Sequence, residues 1–451
     1  MSLPDLIEIV PLDKPVRAEI TVPGSKSITN RALILAALAD GEVMLEGALW
    51  SEDTQIMVEC LQELGFMVNV GPDPKETCNR TITVYGDGGR VPPGGTESQP
   101  MELFVGNAGT AARFLAAFVC LGKGVYRLHG VPRMHERPQA ALFKALRELG
   151  YRVESSNDKL PVVIHGGGPK PGAKCQVSIE ESSQFASALL LCAKQGGWEV
   201  KVVGENAEES PYVWLTENVQ SAFNQFKVSS YPIEPDASSA SYFQAASWLL
   251  TAVFTDTADI NVRDVIRIKS KYPVGLVQMD KMFSNFFRWA NHIGWYDGKT
   301  KQPKIAEISR LKDLGDSIMT AIVMIPFAAR EIKFTDLGRL RVQETERVEA
   351  LRTELTKCGA KVVEEGDTLT VFPSKLHGAE IETYHDHRMA MCFAVLGLKV
   401  PGIRIRNPAC VKKTFPNFFQ KLAALPPHGL GATILNAKTR QKLEKDELFA
   451  D

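Results

Sequence analysis

The sequence lacks several features that define common functional classes. Its eight cysteines are scattered and form no Cys-x-x-Cys pair, a pattern that favours reduced, buried thiols over a disulfide framework or a zinc site. The formal net charge is only −1, which provides no bulk attraction for nucleic acid or for an anionic membrane. Because Gly-x-Ser-x-Gly, His-Glu-x-x-His and Gly-x-Gly-x-x-Gly motifs are absent, hydrolase, metalloprotease and nicotinamide-enzyme interpretations have no support.

Long apolar runs are missing as well. The longest candidates are broken by Gly, Lys or Asp, which argues against a membrane-spanning helix. The segment Met1–Ile9 has none of the basic start, apolar stretch and small-residue cleavage site of a signal peptide. We therefore expect a cytoplasmic protein.

What the sequence does contain is a repeated local pattern. The frame Leu-x-x-[Leu/Cys]-Gly-x-x-Val occurs at Leu61–Val68, Leu146–Val153 and Leu355–Val362. Each copy follows apolar residues at helical spacing and leads into alternating apolar residues, so it predicts a helix that ends at a left-handed Gly before a strand. Three copies in 451 residues predict two large domains assembled from repeated α/β units.

Further helices are expected between these copies, and nearly all follow a cluster of Gly, Ser, Asn, Asp or His. They are Asn30–Ala39, Thr110–Val119, Gln184–Ala193, Ser241–Thr251, Ser317–Ala328 and His387–Leu396. Helix N-termini offer unpaired N–H groups and a partial positive charge, which suits anion binding. Residues 255–312 carry no clear pattern.

Cations and acids lie at many of these glycine-rich or helix-start positions. The cations are Lys26, Arg31, Arg137, Arg347, Arg388 and Lys413, and the acids are Asp316 and Glu344. Together they suit the binding of small polyanions and the movement of protons, although helix capping or a solvated helix face is an alternative explanation for each segment taken alone. His385 and His387 lack a third His or Cys ligand nearby, so we expect no metal site.

Eight segments between Pro23 and Pro416 resemble, in order and spacing, those of the 5-enolpyruvylshikimate-3-phosphate (EPSP) synthase family. They read P-G-S-K-S-x-T-N-R-A-L, G-N-A-G-T-A-x-R, R-M-x-E-R-P, S-S-Q-F, D-A-S-S-A-S-Y-F, R-V-x-E-T-E-R, D-H-R-M-A-M-C-F and K-T-F-P. Members of that family transfer the enolpyruvyl group of phosphoenolpyruvate to the 5-hydroxyl of shikimate 3-phosphate and release phosphate.

The resemblance implies an α/β fold of two similar globular domains, each of three βαβαββ repeats around an axis, an inside-out α/β barrel. Residues 1–22 with 241–425 would form a discontinuous first domain, and residues 23–240 the second. Apart from the resemblance, residues 426–451 are broken by Pro and Gly and then charged, which predicts a poorly ordered C-terminal tail. Substrates would bind in a cleft that closes on them. The resemblance also implies a monomer that uses no cofactor or metal and binds neither nucleic acid nor membrane.

Site residues follow from the resemblance, position by position. Phosphoenolpyruvate would be held by Lys26, Asn107, Gly109, Arg137, Gln184, Arg347, Arg388 and Lys413. Shikimate 3-phosphate would be held by Lys26, Ser27, Arg31, Ser182, Ser183, Gln184, Tyr212, Asp316, Arg339 and Gln343. In catalysis, Asp316 would be the base for the 5-hydroxyl, and Glu344 with Lys26 would protonate the methylene carbon, with His387 beside Glu344.

The sequence also departs from the family pattern on the acceptor side. Gln343 replaces a Lys found in most members, Arg339 stands where many have a neutral residue, and the spacing within Glu209–Tyr212 is altered. A different alcohol acceptor and a catalytically silent binding protein therefore stay open as alternatives. UDP-N-acetylglucosamine enolpyruvyl transferases carry a reactive Cys where Pro132 stands here, and residues 123–174 contain no Cys, so that activity is disfavoured.

Overall fold

The computed structural model describes residues 3–14, 16–204, 210–225, 229–251, 266–269, 278, 283, 286 and 306–450. The chain divides into two compact units: Met1–Val22 with Pro235–Asp451 form unit 1, and Pro23–Glu234 form unit 2. Glu209 and most of residues 255–312, on which two sequence interpretations fall, lie outside the described residues.

The strands and helices alternate along the chain. The strands are β1 Leu6–Ile9, β2 Ala18–Ile20, β3 Asp40–Leu49, β4 Met67–Pro72, β5 Asn79–Asp87, β6 Met101–Phe104, β7 Lys123–His129, β8 Arg152–Glu154, β9 Val162–Gly167, β10 Lys174–Ser178, β11 Glu199–Val203, β12 Ser230–Pro232, β13 Ile266–Ile268, β14 Ala306–Ser309, β15 Ile332–Thr335, β16 Val362–Glu365, β17 Thr368–Val371, β18 Glu380–Ile381, β19 Ile403–Arg406 and β20 Ile434–Asn436. The α-helices are Lys26–Leu38, Glu52–Glu63, Gly109–Phe118, Pro132–Glu136, Ala140–Glu148, Ser183–Gly196, Ser210–Gln225, Ala237–Thr251, Ile318–Met324, Arg347–Lys357, His387–Gly397 and Phe418–Ala423.

The sheets repeat one pairing pattern. Unit 2 contains the orders β12-β3-β5-β4 and β6-β7-β9-β8, and unit 1 contains β14-β15-β17-β16 and β18-β19-β1-β20. In each order the first pair is parallel and the next two are antiparallel. Each unit adds a parallel two-stranded sheet, β10-β11 or β13-β2. The predicted fold class of repeated βαβαββ units is therefore confirmed.

Helices occupy the interior of each unit, and the sheets lie outside them. In unit 2 the helices Lys26–Leu38, Gly109–Phe118 and Ser183–Gly196 are buried over most of their residues, as are Ala237–Thr251 and His387–Gly397 in unit 1. A helix that is apolar nearly all round is stable only when it is enclosed on every side. Among the described residues, no helix is long and apolar enough to cross a membrane.

The three copies of the glycine frame close their helices in the same way. Gly65, Gly150 and Gly359 have φ values of 94°, 86° and 90°, and each follows the last helical residues of its helix. The N–H of the next residue, Phe66 in the first copy, reaches back to the carbonyl of Leu61. The other two copies have the matching bond, so all three are Schellman motifs, as the sequence predicts.

We expect Gly65→Ala to lower the free energy of unfolding by about 1–2 kcal/mol, because an L-residue resists a positive φ. An added Cβ would meet only Pro92 at 3.6 Å, which is ordinary contact, so the cost comes from the backbone. Gly71→Ala is the matched control, since Gly71 has no positive φ and its added Cβ would meet only the Thr81 carbonyl at 3.8 Å. Equal midpoints of the two variants in urea denaturation would contradict the conformational argument.

Two sequence expectations are corrected. Residues after 425 are not a poorly ordered tail, because β20 pairs with β1 and the side chains of Leu430 and Leu448 are fully buried. The helix expected over Ser317–Ala328 is shorter: it runs from Ile318 to Met324 and tightens into a 3₁₀ turn at Ile325–Phe327. Pro326 explains the change, since it has no N–H to continue the helix.

Candidate active site

The residues singled out from the sequence fall into two clusters, one in each unit. The Lys26 cluster, in unit 2, comprises Lys26, Ser27, Arg31, Asn107, Gly109, Arg137, Ser182, Ser183, Gln184 and Tyr212. The Asp316 cluster, in unit 1, comprises Asp316, Arg339, Gln343, Glu344, Arg347, His387, Arg388 and Lys413. Several members stand at the first turns of buried helices, where backbone N–H groups are unpaired.

Lys26 is the first residue of the helix Lys26–Leu38 and makes an ion pair with Asp53, at 2.9 Å between Nζ and Oδ2. The loop before it is tightly packed: a Cβ on Gly24 would lie 2.1 Å from the carbonyl oxygen of Gly47. Only glycine fits there. Asp53, which sequence reasoning missed, is 4% exposed and keeps the partly exposed Lys26 ammonium in place.

Arg31 lies one turn later and is buried. Its guanidinium donates to the Thr216 hydroxyl at 2.8 Å, the Ser187 hydroxyl at 2.9 Å and the Ser27 carbonyl at 2.8 Å. Desolvation by burial lowers the pKa of Arg31 to about 10, which is still far above neutral pH. In the part of the chain that the structure describes, no carboxylate lies within ion-pair distance, so this buried cation is suited to an anionic ligand.

The loop before the helix Gly109–Phe118 lies against two arginines. Arg137 donates to the Asn107 carbonyl at 3.2 Å, and Arg113 donates to Gln184 Oε1 at 2.7 Å. A Cβ on Gly109 would lie 2.7 Å from Arg113 Nη1 and 2.8 Å from Arg137 Cζ. Glycine at this position therefore allows both guanidinium groups to approach the helix N-terminus.

The remaining members of the Lys26 cluster are hydroxyl-bearing residues. Ser182 caps the helix Ser183–Gly196 by accepting from the Gln184 N–H, and Ser183 is buried beside it. The Tyr212 carbonyl accepts from the Thr216 hydroxyl at 2.9 Å, which places Tyr212 next to Arg31. The structure thus places Ser27 and Tyr212 beside Arg31, and Arg137 beside Asn107. Gln184 contacts Arg113, and Lys26 pairs with Asp53.

Asp316 faces arginines in the other cluster. Its Oδ1 accepts from Arg310 Nη2 at 3.1 Å, and its Oδ2 lies 3.4 Å from Arg388 Nη2. Burial by itself would raise the pKa of Asp316, but the cations of Arg388, Arg310 and Arg347 outweigh it and hold that pKa well below its usual range. Asp316 is therefore ionised throughout the neutral pH range.

Arg347 is the buried centre of the same network. It makes a bidentate ion pair with Asp386, at 2.6 Å from Nε to Oδ2 and 3.2 Å from Nη2 to Oδ1. Its Nη2 also lies 2.9 Å from Glu344 Oε2. The other oxygen of Glu344 lies 3.2 Å from Lys413 Nζ. Although burial opposes the charge, these acids raise the pKa of Arg347 above its normal value. Glu344 is therefore placed between two cations, with only 12% of its side chain exposed.

The structure also shows where two residues that depart from the family pattern, Gln343 and Arg339, lie. Gln343 Oε1 accepts from Arg347 Nη1, so its amide extends the Arg347 network. Arg339 is half-buried in the 3₁₀ turn Gly338–Val342. His387 begins the helix His387–Gly397, next to the capping residue Asp386. Among the described residues, no group of three His, Cys, Asp or Glu side chains is placed to hold a metal ion.

Sequence reasoning missed the residues that hold the predicted ones in place. Asp53, Arg113, Arg310 and Asp386 each contact a predicted site residue directly. Asp386 offered a signal, because an Asp directly before a helix start is a frequent N-cap. Asp53 and Arg310 offered none, since their partners depend on how distant segments pack.

Comparisons with known proteins identify the family. The profile of the family EPSP synthase (3-phosphoshikimate 1-carboxyvinyltransferase) matches residues 11–422. A 3-phosphoshikimate 1-carboxyvinyltransferase of Nostoc punctiforme is 36% identical over 437 residues, covering 92% of this chain and 98% of that protein. The corresponding protein of Trichormus variabilis is 37% identical over 440 residues, with the same coverage.

Solved structures show the same fold. An EPSP synthase from Acinetobacter baumannii superposes with a TM-score of 0.71 at 22% identity and covers 95% of this chain and 99% of its own. The enolpyruvyl transferase NikO from Streptomyces tendae gives a TM-score of 0.64 at 16% identity, with coverage of 97% and 99%. With the profile match over nearly all of its length, the chain belongs to the EPSP synthase (3-phosphoshikimate 1-carboxyvinyltransferase) family.

Proposed function

We propose that the protein transfers the enolpyruvyl group of phosphoenolpyruvate to the 5-hydroxyl of shikimate 3-phosphate, yielding EPSP and phosphate. The observation that carries this proposal is the Asp316 cluster. It places an ionised carboxylate and a second acid, Glu344, in one network of cations. Such a network supplies a base, a proton donor and anion-binding groups, which an addition–elimination reaction between two anions requires.

The donor phosphoenolpyruvate carries a phosphate and a carboxylate, so it needs several cations. We assign it to Lys26, Asn107, Gly109, Arg137, Gln184, Arg347, Arg388 and Lys413. Arginine forks match the geometry of carboxylate and phosphate, and lysine supplies a point charge. The half-buried Arg137 supports the assignment, because no carboxylate in the described part of the chain neutralises it.

The acceptor is assigned to the hydroxyl-rich part of the Lys26 cluster and to the edge of the Asp316 cluster. Arg31 and Ser27 would bind the shikimate carboxylate, for which the buried Arg31 charge provides the attraction. The other contacts are assigned to Lys26, Ser182, Ser183, Gln184, Tyr212, Asp316, Arg339 and Gln343. Because Gln343 already accepts from Arg347, Arg339 is the cation that replaces the charge absent at position 343.

The reaction then proceeds in two steps. Asp316 takes the proton of the 5-hydroxyl, and the hydroxyl oxygen attacks C2 of phosphoenolpyruvate. Glu344 with Lys26 protonates C3, and the product of this first step is a tetrahedral ketal. In the second step Glu344 with Lys26 takes a proton back from the new methyl group while phosphate departs, which restores the double bond. His387, beside the capping Asp386, supports the orientation of the acid. We further propose a cytoplasmic monomer that needs no cofactor.

A phosphate-release assay tests the proposal. With phosphoenolpyruvate and shikimate 3-phosphate together we expect steady release of phosphate, and with either substrate alone none. The product should show the mass of EPSP. Release with UDP-N-acetylglucosamine or unphosphorylated shikimate, but not with shikimate 3-phosphate, would replace the acceptor assignment. Ligand binding without any turnover would support a silent member of the family.

A further inference from the structure

The backbone directly before Asp316 has two uncommon features. Arg310–Leu314 form one π-helical turn, and Gly315 after it has φ 56° and ψ −135°. Side chains strongly disfavour that combination, so the position requires glycine. Single π turns occur frequently at functional sites. Here the turn places Arg310 and Asp316 face to face, with Nη2 and Oδ1 3.1 Å apart.

Hydrogen bonds fix this turn from both sides. The Ser309 hydroxyl accepts from the N–H groups of Leu311 at 3.1 Å and Lys312 at 3.0 Å, and it donates to Asp336 Oδ2 at 2.5 Å. The Ser309 N–H donates to Asp313 Oδ2 at 2.8 Å. The turn is therefore held by its own cap and by the end of β15, independently of any ligand.

The arginines on the two oxygens of Asp316 differ in their surroundings. Arg310, on Oδ1, is 3% exposed, whereas Arg388, on Oδ2, is 14% exposed. Arg388 is also the group assigned to phosphoenolpyruvate. Binding of that anion by Arg388 would draw it away from Oδ2, whereas Oδ1 would keep its bond to Arg310.

We propose that Arg310 is a positioning residue for the base: it holds Oδ1 of Asp316 so that Oδ2 points to the acceptor hydroxyl and the carboxylate stays ionised. This inference rests on the proposed function, in which Asp316 is the base. The groups that face Asp316 are Arg310, Arg388 and Arg347. Of these three, Arg347 and Arg388 are both assigned to phosphoenolpyruvate, so Arg310 is the one that stays with Asp316 when that substrate is bound.

The test is the dependence of kcat on pH for Arg310→Gln and Arg310→Lys. An opposite charge at this distance lowers a carboxyl pKa by about 1–3 units. Its loss raises that pKa, so the acid limb of kcat in Arg310→Gln should move upward by about 1–3 pH units. Arg310→Lys, which keeps the charge, should restore most of the wild-type profile. Arg352→Gln is the matched control, because it removes an Arg–Glu364 ion pair at 2.8 Å in the same unit.

The outcomes separate this inference from the proposed function. An active wild type with an unshifted acid limb in a folded Arg310→Gln variant overturns the positioning role and leaves the function intact. A wild type that releases no phosphate overturns both. A double-mutant cycle of Arg310→Gln with Asp316→Asn in chemical unfolding needs no activity, and zero coupling between the two positions would also overturn the inference.

Discussion

Replacing Asp316 by Asn should reduce kcat by about a hundred- to ten-thousandfold, the usual contribution of a general base. The amide keeps the shape of the side chain but cannot take the proton of the acceptor hydroxyl. Phosphate release under saturating concentrations of both substrates measures the effect. The Michaelis constants should change far less than kcat, because a base acts mainly on the barrier.

Asp367→Asn provides the control for this substitution. Asp367 also pairs with an arginine in unit 1, Arg341 at 3.1 Å, but it is 62% exposed. We expect near wild-type turnover from this variant. If Asp316→Asn retained turnover comparable to that of Asp367→Asn, Asp316 would have no part in proton transfer.

Gly109→Ala should raise the Michaelis constant for phosphoenolpyruvate by roughly ten- to a hundredfold. The new Cβ would lie within 2.8 Å of the guanidinium of Arg137, which must move away from the helix N-terminus. Losing one charge-assisted hydrogen bond costs about 1.5–3 kcal/mol, and about 1.4 kcal/mol corresponds to a tenfold change. Glyphosate, which competes with phosphoenolpyruvate in this family, should bind more weakly as well.

The variant should fold normally, because the atoms in the way belong to flexible side chains rather than to backbone. Steady-state kinetics with each substrate varied in turn gives the decisive comparison. The Michaelis constant for shikimate 3-phosphate should stay near its wild-type value. An equal rise for both substrates would show a general distortion of the Lys26 cluster instead of a local displacement of Arg137.

The repeated architecture could be predicted because its signals are local. The three glycine frames encode helix ends within eight residues, and the Schellman bonds of Gly65, Gly150 and Gly359 form inside each frame. The ordered segment after residue 425 could not be predicted in this way. Its order comes from pairing of β20 with β1 at the opposite end of the sequence, and charged surface residues conceal that pairing.

Candidate site residues could be predicted where they lie in a recognisable motif. Their contacts could not be predicted where the partner is brought close only by tertiary packing. Lys26, Gly109 and Glu344 stand in segments that resemble the family. The consequences of a changed residue were harder to foresee. A lysine restored at position 343 would remove the oxygen that accepts from Arg347 and would add a like charge beside it. Gln343 is thus adapted to its neighbour, which only the structure shows.

The position of β1 has a consequence for synthesis on the ribosome. Unit 2 is one uninterrupted stretch, Pro23–Glu234, so all of its pairing partners emerge together. β1 emerges before unit 2, yet it pairs with β19 and β20, which follow roughly 400 residues later, or about 20–80 s at usual translation rates. β1 therefore cannot form its native pairs until unit 2 and most of unit 1 have been synthesised, so the sheet that contains it is completed only at the end of translation.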